Sequence, residues 1–164
     1  MSTKAKTCPP DVPLDPPKQY RAPLGEIVLR WSRLEYQLGV IARVAVKLSK
    51  ADQRRLFLSL RTEQLYRALV VVSAVMPLRV LAPEVRQLAL DAQKLNTLRD
   101  NYVHSIYGSC LGSPNDPKRF RLKNRRGGEE MIPEPVSVQE LSGFSDQLND
   151  LLQRAQDLTV KIKG

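Results

Sequence analysis

The stretch VRQLALDAQKLNTLRDNYVHSI, residues 85–106, decides how this chain folds. Its apolar line runs Val85, Leu88, Ala92, Leu95, then position 99, then Tyr102 and Ile106. That three-four alternation marks one face of an α-helix. Position 99 belongs to the line but holds an arginine. A guanidinium on or beside a buried seam is costly unless it finds an acceptor, and breaks in local pattern concentrate at functional or strained sites. The helix end Arg99-Asp100-Asn101-Tyr102-Val103-His104, which contains the only histidine, is therefore the candidate site.

Other segments carry the same period. Leu24, Ile27, Trp31, Leu34, Leu38, Ile41, Ala45 and Leu48 predict a helix over 24–49. Glu35 flanks that stripe, either as a solvated charge or as a partner for a buried arginine. Residues 50–61 are ambiguous: Asp52 suits the cap of a short turn, and Thr62 is a second cap candidate. Leu65, Ala68, Leu69, Val72, Val75 and Met76 repeat at helical spacing. Their valines would also suit a strand, but length and spacing favour a helix ending before Pro77. Pro83 fits the first turn of the next helix, which is expected to run to about Tyr107.

Ser137-Val138-Gln139-Glu140 reads as a capping box, with Val136 and Leu141 as its hydrophobic staple. Leu141, Phe144, Leu148, Leu151, Ala155, Leu158 and Ile162 then form a last stripe. Between the helices, Gly108, Gly112, Pro114, Asn115, Pro117, Gly127 and Gly128 interrupt any helix over about 107–135. Arg119-Phe120-Arg121-Leu122-Lys123 alternates with period two, Asn124 to Gly128 can turn, and Glu129 to Ile132 can return. A short strand near Ser109 to Leu111 has room to join this hairpin. Four one-sided helices bury their stripes only against each other. The expectation is an all-α protein: an antiparallel four-helix bundle with a small β-hairpin inserted before the last helix. Six prolines among residues 1–23 read as a disordered tail, leaving 24–164 as the folded domain.

The 164 residues suffice for one domain with a core, and a formal charge of +9 points to a polyanionic partner, most simply nucleic acid. A role for the excess arginine in solubility alone is the alternative. No basic amphipathic segment stands alone, and the apolar run Ala68 to Met76 is too short to span a bilayer, so no membrane partner is expected. The N-terminus lacks a signal-peptide apolar core, and a cytoplasmic location is the default. Cys8 and Cys110 have no paired spacing, which argues against a disulfide framework. One histidine and no close cysteine pair argue against zinc. There is no Gly-rich phosphate loop and no nucleophile elbow, so no cofactor is expected.

On a helix Asp100 and His104 share a face, and Asn101 lies three residues before His104. Imidazole takes and returns protons near neutrality, while arginine holds phosphate with a planar fork and stabilises developing charge. Arg99 and His104 together thus suffice in principle for metal-free cleavage of RNA. A lone histidine near a helix C-terminus serving a purely structural role is the competing reading. Lys118, Arg119, Arg121, Lys123, Arg125 and Arg126 lie in a stretch with no acid over 118–126. They suit a nucleic-acid backbone, with Phe120 stacking a base, or else a solvated charge run.

The Arg99-Asp100-x-x-x-His104 pattern at the end of a bundle helix resembles the motif of the HEPN superfamily. Trp31, Leu34 and Glu35 resemble the W-x-x-L-E opening of small bacterial and phage HEPN-like proteins, in which the motif usually reads Arg-Asn-x-x-x-His-Gly. The likeness covers about residues 24–160. This chain departs at Asp100, where asparagine is usual, and at Ser105, where glycine is usual. The resemblance implies a helical bundle and a metal-independent endoribonuclease, often a toxin or a phage-defence protein. It also implies a homodimer whose two motifs form one cleft, with an antitoxin or another protein as a further partner. Arg99 would then stabilise phosphate, His104 act as acid or base, and Asp100 or Asn101 orient it. The same bundle without catalysis, as a module binding nucleic acid or a protein, is the alternative.

Overall fold

The computed structural model describes residues 10–11, 17–45, 51, 60, 62–75, 80–110, 113–125 and 128–163. Among these are four longer helices and a small antiparallel sheet. In chain order they are strand β1 (Pro10–Asp11), helices α1 (Lys18–Ala45), α2 (Thr62–Val75) and α3 (Ala82–Val103), strands β2 (Ile106–Cys110), β3 (Ser113–Arg125) and β4 (Gly128–Pro135), and helix α4 (Val138–Lys163). None of the helices is long and apolar enough to cross a membrane. The chain divides into two compact units: Met1–Ile27 with Leu98–Phe144, and Val28–Thr97 with Ser145–Gly164.

The first unit is built on the sheet, ordered β1-β2-β3-β4 with every neighbour antiparallel. The β3–β4 hairpin is the one the alternation predicts. Its register pairs Arg125 with Gly128, leaving residues 126 and 127 between the strands. The prolines fall where a strand tolerates them. Pro114 and Pro117 lie in the part of β3 beyond β4, whose pairing begins at Lys118–Pro135. Pro133 and Pro135 lie on β4, which pairs on one side only. A proline contributes no amide and is tolerated where a strand is paired on one side only; Pro117, opposite Ser109, adjoins a register shift between Ser109 and Cys110.

The N-terminal tail is shorter than its prolines suggest. Pro10 and Asp11 pair with Cys110 and Ser109, and α1 starts at Lys18 rather than at Leu24. Pro23 sits inside the helix. It has no amide for the carbonyl four residues back, a local cost. The offset is tertiary: Tyr20 is buried, and its hydroxyl donates to the Val136 carbonyl at 3.0 Å. Residues 1–9 and 12–16 of the predicted tail lie outside the described residues.

In the second unit each helix turns an apolar stripe inward. Trp31, Leu34, Leu38 and Ile41 of α1, Leu65, Tyr66 and Leu69 of α2, Val85, Leu88 and Ala92 of α3, and Leu148, Leu151 and Leu158 of α4 are all buried. Polar links at the rim fix directions. Arg154 donates to Asp91 and Lys161 to Glu84, both at 2.8 Å, so α3 and α4 are antiparallel. Arg30 donates to the Ser145 carbonyl at 2.8 Å and Thr159 to Gln37 at 3.4 Å, so α1 and α4 run parallel. The expectation of a strictly antiparallel bundle is corrected in that respect. Glu35, the flanking charge on α1, has a hydroxyl for a partner. It accepts from the Thr62 hydroxyl at 2.5 Å, which brings the start of α2 back beside the middle of α1. The Asp52 cap lies outside the described residues.

Candidate functional site

Helix α3 ends at Val103, not near Tyr107, because Ile106 and Tyr107 pair with Phe120 and Arg119 of β3. The last carbonyls of a helix lack intrahelical partners. Here the chain just beyond supplies them. The His104 amide donates to the Asp100 carbonyl at 3.1 Å, the Ser105 hydroxyl to that of Asn101, and the buried Tyr107 hydroxyl to that of Tyr102 at 2.7 Å. His104 therefore lies one residue past the helix, held by one more turn of backbone bonding.

This ending gathers three predicted side chains. Arg99 Nη1 donates to Asp100 Oδ1 at 2.6 Å and to His104 Nε2 at 3.3 Å. His104 Nε2 lies 3.8 Å from the same Asp100 oxygen. Exposure is graded: the Arg99 side chain is 18% exposed, that of Asp100 48% and that of His104 68%. Arg99 thus lies beside the seam, as its place in the apolar line predicts, with Asp100 among its acceptors. Asn101 contributes its carbonyl to the helix end.

Behind the triad lies a set of contacts that periodicity does not show. Tyr102 donates from its hydroxyl to Glu140 at 2.7 Å and packs its ring against Phe144, centroids 5.1 Å apart. Arg119 lies 4.9 Å over the Tyr102 ring and donates to Glu134 at 2.7 Å. The Tyr107 ring is 5.6 Å from that of Tyr20. Burial, reinforced by Glu140, pushes the Tyr102 phenol up to about 12, and burial drives Tyr107 in the same direction. The capping box at the start of α4 is half formed. The Glu140 amide donates to the Ser137 hydroxyl at 3.0 Å, but the Glu140 carboxylate is taken by Tyr102 instead of reaching back. The one legible signal was Tyr102 in the apolar line; its side-chain partners Arg119, Glu140 and Phe144 come from later elements.

The hairpin differs from the predicted nucleic-acid surface. Phe120 is 1% exposed, so it is a core residue and has no face for a base. Period two puts it opposite Arg119 and Arg121, on the side that packs. Arg119, 12% exposed, is held by Glu134 and the Tyr102 ring, and Arg121 lies 3.8 Å from the same carboxylate. These two arginines are therefore partly neutralised by β4, which a count of acids over 118–126 does not reveal. Lys118 is half-buried. The side chains of Lys123 and Arg125, and all of Arg126, lie outside the described residues.

A cavity of about 470 Å³ lies in the second unit, lined by Pro83, Glu84, Leu88, Arg154, Asp157 and Lys161 among others. It contains neither Arg99 nor His104, and Lys161 and Arg154 are each already paired with a carboxylate at 2.8 Å. Among the described residues no group of three or more His, Cys, Asp or Glu gathers to hold a metal. No protein-family model, no curated protein and no solved structure matches this chain.

Proposed function

We propose that this chain is a HEPN-like endoribonuclease that cleaves RNA without a metal, with Arg99 and His104 as its chemical pair. One observation carries the reading. An arginine and the sole histidine, five residues apart, meet with 3.3 Å between Nη1 and Nε2 on an accessible helix end. In the proposed reaction Arg99 moves onto the phosphate and leaves Nε2 free. His104 then takes the proton of the 2′-hydroxyl, whose oxygen bonds to phosphorus as the bond to the 5′-oxygen breaks. The leaving 5′-oxygen takes a proton from solvent and the imidazolium returns its own to solvent, so the products are a cyclic phosphate and a free 5′-hydroxyl. The formal charge of +9 favours a polyanionic substrate.

In this reading the four helices form one bundle with the hairpin before α4. Two copies pair so that both motifs face one cleft. The protein works in the cytoplasm as a toxin or in phage defence, with an antitoxin or another protein as a further partner. The test is RNA cleavage in excess EDTA by wild type and by His104→Ala. Cleavage by wild type alone, leaving cyclic phosphate ends, is expected. Equal activity in both proteins removes His104 from the chemistry.

The second reading is a non-catalytic module that binds nucleic acid or a protein. The 2.6 Å pair between Arg99 and Asp100 favours it, because the guanidinium already has an anion. No cleavage across structured and unstructured RNAs, with salt-sensitive binding retained, is its signature.

A further inference from the structure

The hairpin has no exposed ring for a base, but α1 has one. Opposite its buried stripe, Leu29, Arg33, Tyr36, Val40 and Arg43 follow one another at four-three spacing and so share one face. The Tyr36 ring is 64% exposed, and the Arg43 guanidinium lies 5.9 Å from its centroid. Arg33, also exposed, stands one turn before the ring. We propose that this stripe binds single-stranded nucleic acid, with a base stacked on Tyr36 and a phosphate on each of Arg33 and Arg43. The inference rests on the reading that the polyanionic partner is a nucleic acid, but not on cleavage.

The stripe carries positive charge with no anion of its own. Glu26 and Glu35 are the only acids in α1, and neither belongs to the stripe. The carboxylates nearby have other donors: Glu35 has Thr62, Glu63 at the start of α2 has Arg67 at 2.6 Å, and Asp146 faces Arg30 at 3.4 Å. None of the ion pairs among the described residues involves Arg33 or Arg43. The hairpin is the opposite case, since its Phe120 is buried and Glu134 holds Arg119 and lies near Arg121. Along the helix Arg33 and Arg43 are separated by about 15 Å with the ring between them. Over that distance a short strand can rest its backbone on both guanidiniums while one base turns onto Tyr36.

The pattern favours a nucleic acid over a protein. Leu29 is 58% exposed, but Ser32 and Arg33 stand between it and Tyr36, so the stripe is not the continuous apolar patch that a protein partner buries. A second copy of this face would set arginine against arginine, with no carboxylate on the stripe to receive either. An aromatic face accepts any base, and a guanidinium beside it adds a cation–π contribution. The base must be unstacked to reach the ring, which selects single strands over duplexes.

The test is fluorescence anisotropy of the full chain with a labelled 2′-O-methyl oligouridine, which is single-stranded and has no 2′-hydroxyl to react. Its duplex with 2′-O-methyl oligoadenosine is the comparison. Tyr36→Ala should weaken binding of the single strand about tenfold, and Tyr36→Phe, which keeps the ring, should stay within about twofold of wild type. Duplex affinity should not change in Tyr36→Ala. Arg33→Gln and Arg43→Gln should each lower the slope of log affinity against log salt by about 0.7. Because Tyr36 is exposed, Tyr36→Ala should unfold in urea where wild type does. Wild-type affinity in Tyr36→Ala overturns the proposal, as does an equal loss on the duplex or an unchanged salt slope in both arginine variants. Self-association of wild type that Tyr36→Ala abolishes makes the stripe a face between copies and also overturns it. Absence of binding at every salt concentration overturns it together with the nucleic-acid partner. The expected binding without cleavage of ordinary RNA in EDTA leaves it standing and removes the nuclease, whereas cleavage with wild-type affinity in Tyr36→Ala removes it alone.

Discussion

Phe120 separates the two readings of the hairpin, because core packing and base stacking predict opposite results for Phe120→Ala. The ring is 1% exposed, and its strand position pairs with Ile106 on one side and Pro133 on the other. About 150 Å² of aromatic surface removed from water at about 25 cal/mol per Å² is worth roughly 4 kcal/mol. Cavity formation keeps truncation in the range of about 3–5 kcal/mol. With a urea dependence of about 2 kcal/mol per molar, the unfolding midpoint should fall by roughly 2 M. Far-UV circular dichroism is the primary assay, with the fluorescence of Trp31, the only tryptophan, as a second probe. Phe120→Leu keeps most of the volume and should lose less than about 1.5 kcal/mol. A Phe120→Ala protein that unfolds within a few tenths of a molar of wild type, yet binds RNA more weakly, would refute the packing argument.

Two further predictions concern the contacts behind the triad. Tyr102, pushed up to about 12 by burial and Glu140, and Tyr107, pushed up by burial, stay neutral in the fold while the unfolded chain ionises near the ordinary phenol value. Their contribution to stability is intact below about pH 10 and is lost as pH rises from there towards 12; melting temperature against pH checks this, and a flat profile over that window counts against it. Ser137→Ala removes the acceptor for the Glu140 amide and should cost about 1 kcal/mol in the same urea assay; no change would mean that this helix start is held by Val136 and Tyr102 alone.

The helices were readable in the sequence because their signal is local. An apolar residue every three or four positions defines a face whatever covers it, and Leu34, Leu38, Leu148 and Leu158 are all buried as their spacing predicts. The hairpin was readable for the same reason, from period two and turn residues. Helix ends were less so. Pro23 marks a boundary by local rules, yet Tyr20 and its bond to Val136 carry α1 across it. The end of α3 was placed a turn too late because the residues that stop it, Phe120 and Arg119, act from another strand.

The candidate site divides along the same line. The sequence by itself determined that Arg99 breaks an apolar face and that Asp100 and His104, four residues apart, lie together, since helix geometry makes neighbours of residues at that spacing. Only the tertiary structure decided which donor each carboxylate receives. Asp100 holds Arg99, Glu134 holds Arg119, and Glu140 accepts from Tyr102. The last two pairs are made by residues 15 and 38 positions apart, and pairing over such distances depends on how strands and helices pack. Alternation likewise fixed that Phe120 and Arg119 face opposite ways, but packing decided that the phenylalanine side is the core and that the arginine is held against Tyr102.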